Sequence, residues 1–214
     1  MKAKSLTAVA LLSAILVGTG CASKGAYESA AMTSTELVDT RSQILAARSA
    51  VDMAAVTFDD LVTNAKPDLK PQYAAFSKAV DDLNSRALST ADQAQDFRSK
   101  RDKYIKDWKA DADTLTDAEL KKRALERMAE TQQSFDTMAV KVQDARDASQ
   151  PFITTVNELR RYLGGDLTSA GIKSVTDQVP RVNAQRDELK KRLDTVVSEI
   201  DRVNSELKPA APAQ

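Results

Sequence analysis

Cys21 is the residue whose type and setting most clearly indicate chemistry. It is the only cysteine of 214 residues and follows Gly-Thr-Gly, which in turn follows a start with two lysines and an apolar run over residues 6–17. A basic, an apolar and a small-residue region in this order are typical of a secretory signal. We therefore predict that residues 1–20 are a lipoprotein signal peptide and that Cys21 carries acyl chains such as palmitate.

Two other interpretations of this stretch stay open. A spanning helix needs roughly 20 apolar residues, so the shorter run over 6–17 fits an uncleaved membrane span less well. A conventional signal cut elsewhere would leave Cys21 as a free thiol, and Gly18 favours this because lipoprotein signals usually have leucine there. Ala22, in place of an aspartate, favours the outer membrane of a Gram-negative cell. We expect the anchored protein to face the periplasm.

The other residue types argue against an enzyme. The sequence has no histidine, so imidazole metal sites, the common nucleophile–base pairs and carboxylate–histidine di-iron sites cannot be built. Gly164-Gly165 lacks the lysine of a phosphate-binding loop. Asp59-Asp60 and the pair Asp111 and Asp113 are more typical of a solvated helix face than of a calcium site, because no loop adds oxygens. We predict no enzymatic activity, no metal and no cofactor.

Composition limits the partners. Removing residues 1–20 takes away two of 31 basic groups and leaves 29 against 31 acidic ones, so the mature chain has no basic excess for nucleic acid. Charged residues make up 29% and aromatic residues 5%, with six glycines and six prolines, which is typical of long helices. We predict that the partner is an envelope protein. The sequence predicts neither the identity of that partner nor the oligomeric state of this chain.

Apolar residues recur at spacings of three and four along four stretches, as in helices packed along one seam. The first stripe contains Leu37, Ile44, Val51 and Phe58, and the others run over 69–108, 120–163 and 172–207. These stretches are separated by helix breaks at Pro67, at Thr114–Asp117 and at Gly164-Gly165-Asp166. We predict an all-α fold, a long antiparallel four-helix bundle or coiled coil with up-down-up-down topology. Its second helix has about 44 residues and is roughly 66 Å long.

Local signals place the helix ends. Thr33 with Glu36, and Thr116 with Glu119, have the form of capping boxes, and Gly164-Gly165 suits a left-handed C-terminal cap. The predicted domains are a tether or frayed first turn over 21–32, the bundle over 33–207 and a disordered tail over 208–214.

Two prolines suggest a hinge. Pro151 lies fifteen positions before Asp166 and Pro180 fourteen after it, so an antiparallel hairpin would place them at one level. Each would remove a helical hydrogen bond and permit a kink roughly 20 Å from the glycine turn. Pro151, Pro180, Gly164 and Gly165 are therefore a candidate hinge, and purely local strain is the alternative.

Three arginines, Arg41, Arg48 and Arg101, occupy stripe positions where apolar residues are expected. In one interpretation their stems lie on the seam while the guanidinium groups reach a carboxylate. In the other, they mark a groove left open for an anionic partner. An unpaired buried charge would cost several kcal/mol, so the groups need a partner in either case.

The chain resembles an uncharacterised family of bacterial envelope proteins, defined as a domain of unknown function. The resemblance is carried by Trp108, Leu120-Lys121-Lys122, Glu130-Thr131, Phe135, Pro151, Leu163 through Thr168, Ala170 and Ile172, with Ala47-Arg48, Ala50 and Phe58 before them. Family members typically have a lipoprotein-type leader and a Leu-Lys-His-Asn-Leu-Asn-Ala loop, where this chain has Leu-Gly-Gly-Asp-Leu-Thr-Ser. The resemblance implies no activity.

Two functional classes follow. The first is a lipid-anchored periplasmic rod that spaces or tethers envelope components. The second is a membrane- or ligand-binding helical module that opens near Pro151 and Pro180. Neutral charge and the lack of a basic, aromatic-rich outer face favour the first.

Overall fold

The computed structural model describes residues 26–207, without the side chains of 26–29, 91 and 93. The predicted signal peptide, Cys21 and the predicted tail over 208–214 lie outside these residues. Between them the chain forms α1 (Ala26–Thr63), α2 (Lys70–Asp113), α3 (Ala118–Gly165), α4 (Ser169–Lys173) and α5 (Gln178–Leu207). The predicted all-α fold is confirmed, and α2 has 44 residues.

The four long helices form an antiparallel bundle in which α1 and α3 each pack against both α2 and α5. Side-chain pairs show the direction: Arg41 meets Asp201 and Arg48 meets Asp194, so numbers rise on α1 as they fall on α5. The α2–α3 pairs Asp81–Arg160 and Asn84–Asn157 follow the same rule. The topology is therefore up-down-up-down, with α4 as a short addition before α5.

Two predicted helix starts are wrong. α1 begins at Ala26, seven residues before Thr33, and Thr33 is 2% exposed inside the helix instead of capping it. At α3 the N-cap is Asp117, whose carboxylate Oδ1 accepts from the backbone N–H groups of Glu119 and Leu120, both at 2.9 Å. A carboxylate at this position also faces the positive end of the helix dipole, an advantage that the neighbouring threonine hydroxyl lacks.

The predicted glycine cap is also wrong. Gly164 and Gly165 belong to α3, and no glycine among residues 26–207 has positive φ. The chain leaves α3 at Asp166, with φ −140° and ψ 75°. Since a non-glycine residue can adopt that conformation, the turn needs no left-handed residue.

The predicted fourth helix is interrupted. α4 ends at Lys173, a turn over 174–177 follows, and α5 starts at Gln178. Pro180 thus lies in the first turn of α5, where its missing N–H removes no helical hydrogen bond. Pro151 lies inside the continuous α3. The expectation of two interior kinks therefore fails for Pro180, while the hinge role itself stays a prediction.

The buried apolar residues form two clusters. The first core, at the α1–α2 turn, includes Phe58, Phe76, Phe152, Leu163 and Ile172. The second core, toward the start of α1, includes Leu37, Phe97, Tyr104, Phe135 and Ile200. On α2 no described side chain between Leu83 and Phe97 is buried, because the predicted stripe has only Ala87, Thr90 and Ala94 there. Leu120, predicted on the α3 stripe, is 54% exposed.

Candidate functional site

We name residues 164–171 the α3–α4 loop; they run from the last two residues of α3 into α4. They include most of the stretch over 163–169 that the resemblance compares with the family loop. At the start of the α3–α4 loop, Gly164 lies against α2: a Cβ at this position would be 2.5 Å from the Tyr73 hydroxyl oxygen. That hydroxyl donates to the backbone carbonyl of Arg160 at 3.0 Å. Glycine here leaves room for the Tyr73 hydroxyl between α2 and α3 and does not form a left-handed cap. Gly165 has nothing within 4 Å of such a Cβ.

The rest of this loop is held by its own polar groups. The Thr168 hydroxyl donates to Asp166 Oδ1 at 2.7 Å and accepts from the Gly171 N–H at 3.1 Å. A Cβ on Gly171 would overlap the Asp166 carbonyl oxygen. Because these polar atoms bond to one another, the α3–α4 loop is built as a compact helix connection and presents no convergent set of ligand groups.

The candidate hinge residues do not form one cluster. Gly164 and Gly165 end α3, Pro151 lies more than three turns earlier in the same helix, and Pro180 lies beyond α4. Near Pro180 the helical ladder is interrupted over 174–177, and Tyr162 on α3 shares a 2.8 Å hydrogen bond with Ser174 in that turn. Helix is therefore interrupted just before the α5 turn that contains Pro180, whereas α3 is continuous through Pro151.

The stripe arginines pair with carboxylates. Arg41 Nε lies 2.8 Å from Asp201, Arg48 Nε lies 2.6 Å from Asp194, and Arg101 pairs with Asp102 at 2.7 Å. The hydrogen bond that Arg48 donates to the Asp194 carboxylate raises the pKa of Arg48 above its ordinary value. These pairs support the first interpretation, in which the stems lie on the seam and the guanidinium groups reach acidic partners.

The Arg41 and Arg48 pairs belong to a longer polar edge between α1 and α5, whereas the Arg101–Asp102 pair lies on α2. Farther along, Asp52 pairs with Lys190 at 2.8 Å, and Asn183 donates to Asp59 at 3.5 Å. We name this row of pairs the α1–α5 ladder. Its acidic and basic groups neutralise each other, so it offers no open groove for an anion.

We expect the variant Arg48→Leu to change the free energy of unfolding by less than about 1 kcal/mol, because half-exposed ion pairs contribute little. The arginine side chain is 33% exposed, and leucine would add apolar contact on the seam. Urea unfolding followed by circular dichroism measures the change. Asp194→Ala is the matched control, and a loss above about 2 kcal/mol in Arg48→Leu alone would show that the guanidinium has a structural role beyond this pair.

The acidic runs serve local structure. Asp60 accepts from Gln72 Nε2 at 2.7 Å, and this hydrogen bond lowers the pKa of Asp60. The pKa of Asp113 is lowered by hydrogen bonds from Lys109 and then Lys121. Within residues 26–207 no group of three or more acidic, cysteine or histidine side chains is placed to hold a metal ion.

Sequence reasoning missed two polar contacts that organise the bundle. Gln72 is 6% exposed and bridges the α1–α2 turn: its amide donates to Asp60 and Asn64, and its carbonyl oxygen accepts from the Lys66 N–H at 3.0 Å. Asn84 and Asn157 exchange amide hydrogen bonds of 3.1 and 3.0 Å between α2 and α3. Neither contact could be predicted from residue spacing, because Gln72, Asn84 and Asn157 are single polar residues within polar stretches.

The comparisons with known proteins give a family. None of the helices in the described part of the chain combines the length and the apolar character that crossing a membrane requires. No curated protein and no solved structure matches the sequence. A family model with the description "Protein of unknown function (DUF2959)" matches residues 26–207, which is the whole of the helical bundle. The resemblance to an uncharacterised family is thereby confirmed, and the chain belongs to the DUF2959 family of proteins of unknown function.

Proposed function

We propose that the protein is a lipid-anchored periplasmic rod that acts as a structural or protein-interaction component of the bacterial envelope. The observation that carries this proposal is the position of Cys21, behind a signal-like stretch and only five residues before Ala26, where α1 begins. A lipid on Cys21 would hold one end of the bundle at the membrane. The length of α2, about 66 Å at 1.5 Å per residue, supports a spacing or tethering role.

The polar character of the bundle also supports this proposal. Its partly exposed charged groups pair with each other along the α1–α5 ladder. Such a rod would act through contacts with another envelope protein and not through chemistry. Crosslinking in cells, followed by identification of the captured protein, would name that partner.

The variant Cys21→Ala tests the anchor. We expect it to fold normally, because Cys21 precedes the helical bundle, and to move from the membrane fraction to the soluble periplasmic fraction. Loss of labelled palmitate incorporation should accompany the shift. Ser23→Ala, which keeps the cysteine, should stay with membranes. If Cys21→Ala still fractionated with membranes, the bundle itself would bind them and the rod proposal would be wrong.

A second candidate is a membrane- or ligand-binding module that opens near Pro151 and Pro180. The helix interruption over 174–177, directly before the turn that contains Pro180, favours it. Flotation of the Cys21→Ala protein with phospholipid vesicles separates the two: co-flotation supports the opening module, and its absence supports the rod.

A further inference from the structure

The outer face of α1 is unusually apolar for this charged protein. Ten residues between Ala31 and Val56 are exposed, and only Asp39 among them is charged. Five are large and apolar, with 39 to 57% of each exposed: Met32, Val38, Leu45, Met53 and Val56. By contrast, nine of the thirteen exposed residues between Arg181 and Glu206 on α5 are charged. The α1 outer face therefore differs from an ordinary solvated helix surface.

This face also has the spacing of a helix seam. The stripe follows alternating steps of four and three residues through Ala31, Thr35, Val38, Ser42, Leu45, Ser49 and Val56. The step between Ser49 and Val56 would fall at position 52, and the exposed residue there is Met53, one position later. Exposed side chains at this spacing form a single stripe along the helix. Small residues alternate with large ones, as where the side chains of one helix enter the spaces of another.

We propose that this stripe is the interface between two copies of the chain, whose α1 helices pair antiparallel about a two-fold axis between Gln43 and Ile44. In that register every layer combines a large and a small residue. Leu45 lies opposite Ser42 of the second copy, Val38 opposite Ser49 and Val56 opposite Ala31, and Met53 lies opposite Ser34, one residue from Thr35. A two-fold interface uses the same patch on both copies, so one stripe has to be complementary to itself, and this one is.

Charge favours a second copy over a lipid surface. Along the α5 side of the stripe, Arg41 and Arg48 are paired with Asp201 and Asp194, and along the other side lies Asp39. No positive excess is left to meet anionic head groups, whereas two such neutral edges can lie against each other. A lipid surface would also give no reason for the alternation of small and large residues.

The area predicts a weak dimer. From Ala31 to Val56 the stripe is about 39 Å long, and at a helix width of about 10 Å it covers roughly 400 Å² on each copy. The total of about 800 Å², before flanking side chains are added, lies at the low end of specific interfaces. The dimer goes beyond the proposed function and does not depend on it. Only one consequence of the dimer depends on the proposed function. The Ala26 residues of the two copies would lie about 52 Å apart along the helix axis, so two lipid anchors would lie at opposite ends of the dimer.

Sedimentation equilibrium of the Cys21→Ala protein, between about 1 and 300 µM, tests the association. We expect a monomer–dimer equilibrium that Leu45→Glu weakens about a hundredfold or more, because the substitution occurs twice in each dimer. Leu88→Glu is the matched control, since Leu88 is exposed on α2 and lies off the stripe. A monomer at all concentrations, or equal weakening by Leu88→Glu, would overturn the proposal.

Cysteine pairing tests the register. With Cys21 replaced by alanine, Val38→Cys and Ser49→Cys proteins should form a disulfide at least about tenfold faster when mixed than either does alone. Identical positions would be about 16 Å apart along the axis, beyond the roughly 7 Å limit between Cα atoms. Faster bonding of Val38→Cys with itself would show parallel pairing and overturn the register. Flotation with anionic vesicles that Leu45→Glu abolishes would assign the face to lipid instead and overturn the dimer.

Discussion

Gly171→Ala is expected to lower the free energy of unfolding by about 3 kcal/mol. The new Cβ would overlap the carbonyl oxygen of Asp166 and would lie 2.9 Å from the carboxyl carbon of the same residue. A backbone carbonyl cannot rotate away as a side chain can, so the α3–α4 loop has to shift. That shift also strains the hydrogen bond from the Gly171 N–H to the Thr168 hydroxyl, which caps α4. Urea unfolding followed by circular dichroism measures the loss.

Two other glycines provide the controls. Gly165→Ala meets no atom within 4 Å and should stabilise the helix by about 0.5 to 1 kcal/mol. Gly164→Ala meets the Tyr73 hydroxyl and should destabilise, and adding Tyr73→Phe should restore much of the loss because the next atom is 3.5 Å away. If Gly171→Ala were as stable as Gly165→Ala, the close contact with Asp166 would be absent in solution.

The long-range plan of the fold follows from the periodicity in the sequence. Apolar residues at three-four spacing identified Leu37, Ile44, Val51 and Phe58, and each is at most 4% exposed. The stripe works as a predictor because burial of one helix face is a property summed over many residues. The same holds for α2, whose 44 residues run unbroken from the proline-containing turn to Asp113.

Single-residue features were harder to predict. Thr116 and Asp117 both suit an N-cap, and only the backbone geometry at Asp117 decides between them. Gly164 suggested a left-handed cap, whereas its reason is the proximity of Tyr73, which is 91 residues away in sequence. The stripe through Ile172 and Val175 continued without a break, so the turn over 174–177 left no sign in the spacing.

The ion pairs of the stripe arginines were also only partly predictable from the sequence. Paired arginines could be foreseen, because a charge on a seam requires a carboxylate, but not which carboxylate. Arg48 could have used its neighbour Asp52 on the same helix, at 3.9 Å, and instead lies closer to Asp194 on α5. The partner depends on how α1 and α5 are aligned, and that alignment is a tertiary property.

A large loss of stability is also expected from truncating a buried ring in the second core. Phe135→Ala should cost about 3 to 5 kcal/mol, because Phe135 is fully buried and its ring packs on Phe97 and Tyr104 at 5.9 and 6.3 Å. Burial in this core also raises the pKa of Tyr104 to about 12. The only tryptophan, Trp108, lies 5.5 Å from the Tyr104 ring and so reports on the second core by fluorescence.

Fluorescence and circular dichroism together should show where Phe135→Ala acts. Because the described side chains of α2 between Leu83 and Phe97 are not buried, we expect the second core to loosen before the first. The Trp108 transition in urea should then come at a lower concentration than the circular dichroism transition. Phe58→Ala, an equally buried ring in the first core, should reverse that order. Coincident transitions in both variants would mean that the two cores unfold as one unit. In that case apolar contacts along α1, α3 and α5 would couple the cores despite the weakly packed middle of α2.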